Sequence, residues 1–155
     1  MRCFPDCLPS GHHATGFCGA ALDVLLRGHD AAVVDDVMVI GNFELRASTK
    51  PNRKSSSGAG GPSVKLGGTY TKKQIAKLSR ARDQPLMPLY IGKEIKKDGS
   101  ASRTGEKTYR FSPTSWHYGW RSSKHTKSAQ HVFAVYILRG NQSGKMECIA
   151  TCESK

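Results

Sequence analysis

The sequence contains no run of about 18 apolar residues, which excludes a membrane-spanning helix and with it a membrane partner. Its N-terminus has no apolar core of a secretory signal, because Pro5, Asp6, Pro9, His12 and His13 interrupt it. The expected location is therefore the nucleus, with the cytoplasm as the alternative. Acidic residues are scarce where basic ones abound. Residues 51–155 hold six Asp/Glu against twenty Lys/Arg, whereas residues 1–50 hold six against four. A net charge of +12 placed this way attracts polyanions, and nucleic acid is the commonest of them. Cysteine is sparse and odd in number. Cys3, Cys7, Cys18, Cys148 and Cys152 sit near the two ends, which does not make a secreted disulfide framework.

Three segments follow from composition: an acidic N-terminal segment (1–46), a Ser/Gly/Pro-rich basic loop or linker (47–68) and a basic β-rich domain (69–155). In the first, Cys3, Cys7, His12 and Cys18 have the residue types and spacing, C-x3-C-x4-H-x5-C, for four zinc ligands. They crowd a chain terminus with no second knuckle, so an ordinary thiol-bearing terminus is the preferred reading and no cofactor is expected. GAALDVLLR (19–27) fits a short helix closed by Gly28. Ala31 to Arg46 is rich in β-branched residues, with a turn at Asp35-Asp36 between two short strands.

The basic domain opens with the best helix, TYTKKQIAKLSRAR (69–82). Thr71 is its N-cap, Gln74 completes a capping box, and Ile75 and Leu78 mark the apolar face. Pro88 and Gly92 interrupt a strand over 86–97, and KTYRF (107–111) alternates. His131 to Arg139 carries apolar residues on both faces, as a central strand covered on both sides does. GNQSGK (140–145) reads as a hairpin turn into Met146 to Cys152, which places Cys148 and Cys152 as small core residues. The expected fold is mainly β: an antiparallel sandwich with one or two short helices.

The chain is organised around WHYGWRSSKHTKSAQHVFAVYIL (116–138), in which three aromatics precede a cationic loop and a strong strand. Arg121 can fork onto guanine, while Lys124 and Lys127 suit phosphates. Ser122, Ser123 and Thr126 can donate to phosphate or sugar, and His125 can titrate beside them. Arg110, Lys72 and Lys73 are further candidate contacts. Trp116, Tyr118 and Trp120 either stack on bases or pack, with packing favoured for at least one tryptophan.

A sandwich whose loop RSSKHTK (121–127) feeds the strand HVFAVYIL resembles the immunoglobulin-like transcription factors of the Rel, Runt, STAT and CSL type. The resemblance implies reading of duplex DNA by inter-strand loops, as in a sequence-specific transcription regulator, and not an enzyme. Two alternatives stay open. One is an RNA or single-strand binder that stacks bases on the aromatics. The other is a ribonuclease using His117, His125 or His131 as acid and base.

Overall fold

The computed structural model describes residues 21–28, 36–45, 64–84, 87–96, 105–112, 116 and 131–153. They form eight strands and one helix: β1 (Leu22–Arg27), β2 (Val37–Leu45), β3 (Thr69–Tyr70), α1 (Lys72–Leu78), β4 (Tyr90–Ile91), β5 (Lys93–Ile95), β6 (Glu106–Phe111), β7 (His131–Gly140) and β8 (Met146–Glu153). Two antiparallel sheets result, ordered β1-β6-β5 and β3-β8-β7-β2-β4. The protein is mainly β, as its sequence predicts.

β7 lies at the centre of the larger sheet, between β2 and β8, and Val132 through Leu138 are all buried. Its two faces feed two cores. Phe133 and Val135 join Val39, Phe43, Tyr90 and Trp116 against Tyr109 and Phe111 of the smaller sheet, with Leu22, Val24 and Leu26 packed at the margin. Ala134, Tyr136 and Leu138 join Ile40, Leu89, Met146 and Cys148 beneath Ile75 of α1. The molecule thus has three layers: a short helix, five strands and three strands. The sheets meet where β4 becomes β5. There the Gly92 N–H donates to the Val39 carbonyl at 2.8 Å, and a Cβ at Gly92 would come within 3.2 Å of the Phe111 ring. A residue without a side chain lets the strand change sheets.

The N-terminal third supplies strands to both sheets. Residues 22–27 form β1, not the helix expected over 19–27. Paired along β6, the segment alternates, with Leu22, Val24 and Leu26 half-buried and Asp23, Leu25 and Arg27 exposed. Its period is two, and burial against the aromatic core overrides the helix propensity of Ala and Leu. The turn at Asp36 is present in the left-handed region, φ 55°, and β2 then runs nine residues without a break. The last residues of the expected linker belong to the fold: Val64 is buried, the Gly67 N–H donates to Cys148, and Gly68 accepts from it. Cys148 is a core residue as expected, but Cys152 is exposed, because an extra residue of β8, Ile149, opposite Ile137 and Leu138 shifts the register between β7 and β8.

α1 is capped as predicted: the Gln74 N–H donates to Thr71 Oγ1 at 3.1 Å, and the Thr71 N–H donates to Gln74 Oε1 at 2.8 Å. It ends at Leu78, four residues short of the expected boundary. The Leu89 backbone intervenes there, donating to Leu78 and accepting from Arg80.

Candidate nucleic-acid interface

Charge is distributed differently over the two outer layers. On the smaller sheet, three of the four strand cations are matched across strands; the fourth, Lys93, lies opposite Arg110 in the register. Asp23 and Arg110 are register partners, and the guanidinium grips both carboxylate oxygens at 2.7 Å. This fork, aided by the attraction of the two charges, raises the Arg110 pKa further. Arg27 pairs with Glu106 at 2.9 Å and Lys107 with Glu94 at 3.7 Å. The helical layer is built from the opposite composition. Residues 64–82 contain six Lys/Arg and no Asp or Glu. Among the described residues of this stretch, Lys72, Lys73 and Lys77 of α1 are exposed and make no ion pair.

The topology adds a second asymmetry, between the two ends of the strands. Leu45 and His131 are register partners, so the segment leaving β2 and the segment entering β7 depart from the same end. The latter also holds Trp116, which packs on Phe43 and Phe133 just inside that end. Residues 46–63 and 113–130 together carry seven Lys/Arg and no acidic residue. At the opposite end, Gly28 bonds to Gly105 and Val37 pairs with Arg139. The connecting segments there, 29–35, 97–104 and 141–145, hold three basic and three acidic residues. Two of the three basic loops expected to gather at one end start from that end, but the first of them reaches the other, where Gly67 bonds to Cys148 beside Leu138. The third, over 98–106, is attached at the other.

The candidate residues separate accordingly. Lys72 and Lys73 lie on the helical layer, whereas Arg110 faces outward from the smaller sheet and is held by Asp23, so the structure does not bring these together. Trp116 is packed, not presented: it is 4% exposed, with its ring 5.0 Å from Tyr90 and 5.2 Å from Phe133. Tyr118, Trp120, His117 and the loop Arg121, Ser122, Ser123, Lys124, His125, Thr126 and Lys127 lie outside the described residues, as do Cys3, Cys7, His12 and Cys18. So does the side chain of His131.

Arg80 belongs with the cationic layer, although its sequence position marks it only as one more helix charge. Its guanidinium carbon lies 4.0 Å from the centre of the Tyr90 ring. Burial draws its pKa down, against the pull of Tyr90. A planar cation fixed on an aromatic face is pre-oriented for a phosphate or a base edge. Only the tertiary pairing of residues 79–81 with 84–89 brings the two together.

Beneath the same layer, the Glu44 carboxylate accepts a hydrogen bond from the Tyr136 hydroxyl. Two residues back along β2, the buried Asn42 amide has neither its oxygen nor its nitrogen hydrogen-bonded. Burial, then the bond to Glu44, pushes the Tyr136 pKa well above its usual value of 10.0. The folded chain thus keeps a proton that unfolded tyrosine releases from about pH 10 upward. The stabilisation is complete below that value and drains away as pH climbs toward the folded one. The unfolding free energy from urea titrations at pH 9 to 12 should fall by about 1.4 kcal/mol per pH unit above about pH 10.5, and less steeply in Tyr136→Phe. Equal slopes in the two proteins would remove Tyr136 as the cause.

Among the described residues, no group of three or more His, Cys, Asp or Glu is placed to hold a metal ion, and no helix is long and apolar enough to cross a membrane. Comparison with protein-family models, curated proteins and solved structures finds no match to this chain.

Proposed function

We propose that this protein is a duplex-DNA-binding domain of a nuclear transcription regulator. In this reading it contacts DNA through its helical layer and the loops at the cationic end of its strands. The observation that carries the reading is the segregation of charge. Three of the four cations in the strands of the smaller sheet are matched by carboxylates, whereas the stretch over residues 46–82 has ten basic residues with no acidic one in its sequence. A chain that was basic only for solubility would not need to sort its charges by layer. On this reading Lys72, Lys73, Lys124 and Lys127 neutralise phosphates, Arg121 reads guanine, and Arg80 is a further planar contact. The burial of Trp116 takes one stacking platform from the single-strand alternative.

Fluorescence-anisotropy titrations test the proposal. They would compare random duplex DNA, single-stranded DNA, duplex RNA and a selected duplex pool at about 50 and 200 mM salt. If six or more phosphates are contacted, affinity for random duplex should fall by about a thousandfold across that range. An enriched duplex motif should keep binding at the higher salt. Loss of all binding with no enriched motif would reduce the charge to an electrostatic coat. Stronger binding to single strands or RNA would replace duplex DNA as the ligand.

A further inference from the structure

Alternate residues of a strand share a face, so Ile40, Asn42 and Glu44 of β2 lie together, opposite Tyr136, Ala134 and Val132 of β7. Ile40, Ala134 and Tyr136 belong to the core beneath α1, which identifies this as the helical face. Tyr136 and Glu44 are not register partners. Each lies two residues from the Asn42–Ala134 pair, on opposite sides of it, so the hydrogen bond between their side chains passes over that pair. Asn42 lies beneath the bond at 1% exposure. Continued by one step, the β2–β4 register sets the buried Leu89 on its other side. The row is short of bulk, because only the Ala134 methyl group stands across from the amide on β7. Both polar ends of that amide lack a hydrogen-bond partner. Turning the amide over changes nothing, since its oxygen and its nitrogen are equally unpaired. Buried polar groups without partners are rare in native proteins, and ordered water or an ion is a common cause.

We infer that the Asn42 amide binds ordered water beneath the Tyr136–Glu44 bond, and that one such water bridges it to Glu44. The chemistry of the site selects this ligand. A cation could take the amide oxygen, but it would leave the amide N–H groups unpaired. An anion could take the N–H groups, but it would stand beside the Glu44 carboxylate, which begins about 7 Å along the strand. Water both donates and accepts, so it satisfies both ends of the amide. A water that accepts from Asn42 Nδ2 donates onward to Glu44. A carboxylate has about four lone-pair sites, and Tyr136 occupies one of them. The amide oxygen accepts from a second water. Glu44 is then held from two directions, by the Tyr136 hydroxyl and by the water, and the three side chains form one network. The Tyr136–Glu44 bond acts as its latch. The site stands whether or not the chain binds nucleic acid.

Water–protein cross-relaxation measured by NMR on the isotope-labelled full chain tests the inference. The side-chain amide protons of Asn42 should give cross-peaks to water, with the sign of a residence time longer than about 1 ns. Water-oxygen relaxation dispersion should find long-lived water that Asn42→Val removes, because valine suits a strand and offers no polar atom. Tyr136→Phe has no hydroxyl to relay magnetisation from the solvent, so the cross-peaks should persist in it. Its water should exchange faster, on the order of tenfold, because one hydrogen bond of the network is gone. The parent cross-peaks need no variant, so they decide the matter even if Asn42→Val fails to fold. Their absence overturns the inference, as does equal dispersion in the parent and a folded Asn42→Val protein. Their loss on adding calcium chloride or sodium phosphate would make the ligand an ion and overturn it too. An unchanged residence time in Tyr136→Phe would overturn the bridge to Glu44.

Discussion

Gly41→Ala should destabilise the fold by about 3 kcal/mol, a large part of the 5–15 kcal/mol typical of a domain this size. Gly41 lies mid-strand in β2, between Val135 of β7 and Tyr90 of β4. The Phe133 ring covers it: a Cβ built at Gly41 would lie 2.6 Å from Cε1 and closer still to Cζ. The ring cannot swing aside cheaply. It is fully buried and touches four others, with centroids 5.0 Å from Phe43, 5.2 Å from Trp116, 5.5 Å from Phe111 and 5.7 Å from Tyr90. Displacing it would forfeit much of what Phe→Ala costs in a core, about 3–5 kcal/mol. The lower entropy of unfolded alanine returns only about 0.4–1 kcal/mol. Urea unfolding at constant m-value measures the loss. The cause is isolated by adding Phe133→Leu, which removes the clashing atoms. The double variant should be more stable than the sum of the single effects predicts, by about 1–3 kcal/mol. A Gly41→Ala protein within about 0.5 kcal/mol of the parent would mean that Phe133 does not rest on this glycine.

That arrangement shows which parts of the fold were legible in the sequence. β7 was, because a strand covered on both sides leaves an unbroken apolar run. α1 was, because Thr71 and Gln74 write its start in side chains that need no tertiary partner. Its end was not: Leu78 is the last helical residue because Leu89, 11 positions on, takes up the backbone at that point. β1 was misread for a similar reason. Leu25 on the outer face blurs the alternation of Leu22, Val24 and Leu26, and only pairing with β6 decides the period. For Trp116 the sequence left both stacking and packing open, with packing favoured for at least one tryptophan, and its burial is a packing role.

The candidate interface divides the same way. The excess of cations is plain in composition, but their sorting by layer is not. Asp23 and Arg110 are 87 residues apart in sequence and neutralise each other only after β1 and β6 meet. Arg80 reaches Tyr90 through the turn at 81–84, whose irregular pairing leaves no periodic signal. Composition therefore measures how much cation the chain carries, and topology decides how much of it is left for a ligand.

The consequence for binding can be tested with two variants of equal net charge. Lys72→Gln with Lys73→Gln removes two cations from the helical layer. Arg27→Gln with Lys107→Gln removes two from the smaller sheet, where each now faces a carboxylate. A general attraction to polyanions would weaken equally in both, since each double variant lowers the net charge by the same amount. Contact through the helical layer predicts a difference. Each phosphate contact contributes about 0.9 to the slope of log affinity against log salt for B-form DNA, so losing Lys72 and Lys73 should lower the slope by about 1.8. Between about 50 and 200 mM salt that is roughly a twelvefold change in how much affinity is lost. The smaller-sheet variant should keep the parental slope, because its cations are already neutralised and release few counterions. The helical substitutions sit at the exposed start of α1, where loss of positive charge does not oppose the helix dipole, so stability is preserved. Equal slopes in the two variants would move the interface off the helical layer and onto the loops of the cationic end alone. A larger drop for the smaller-sheet variant would place it on the face that the ion pairs close.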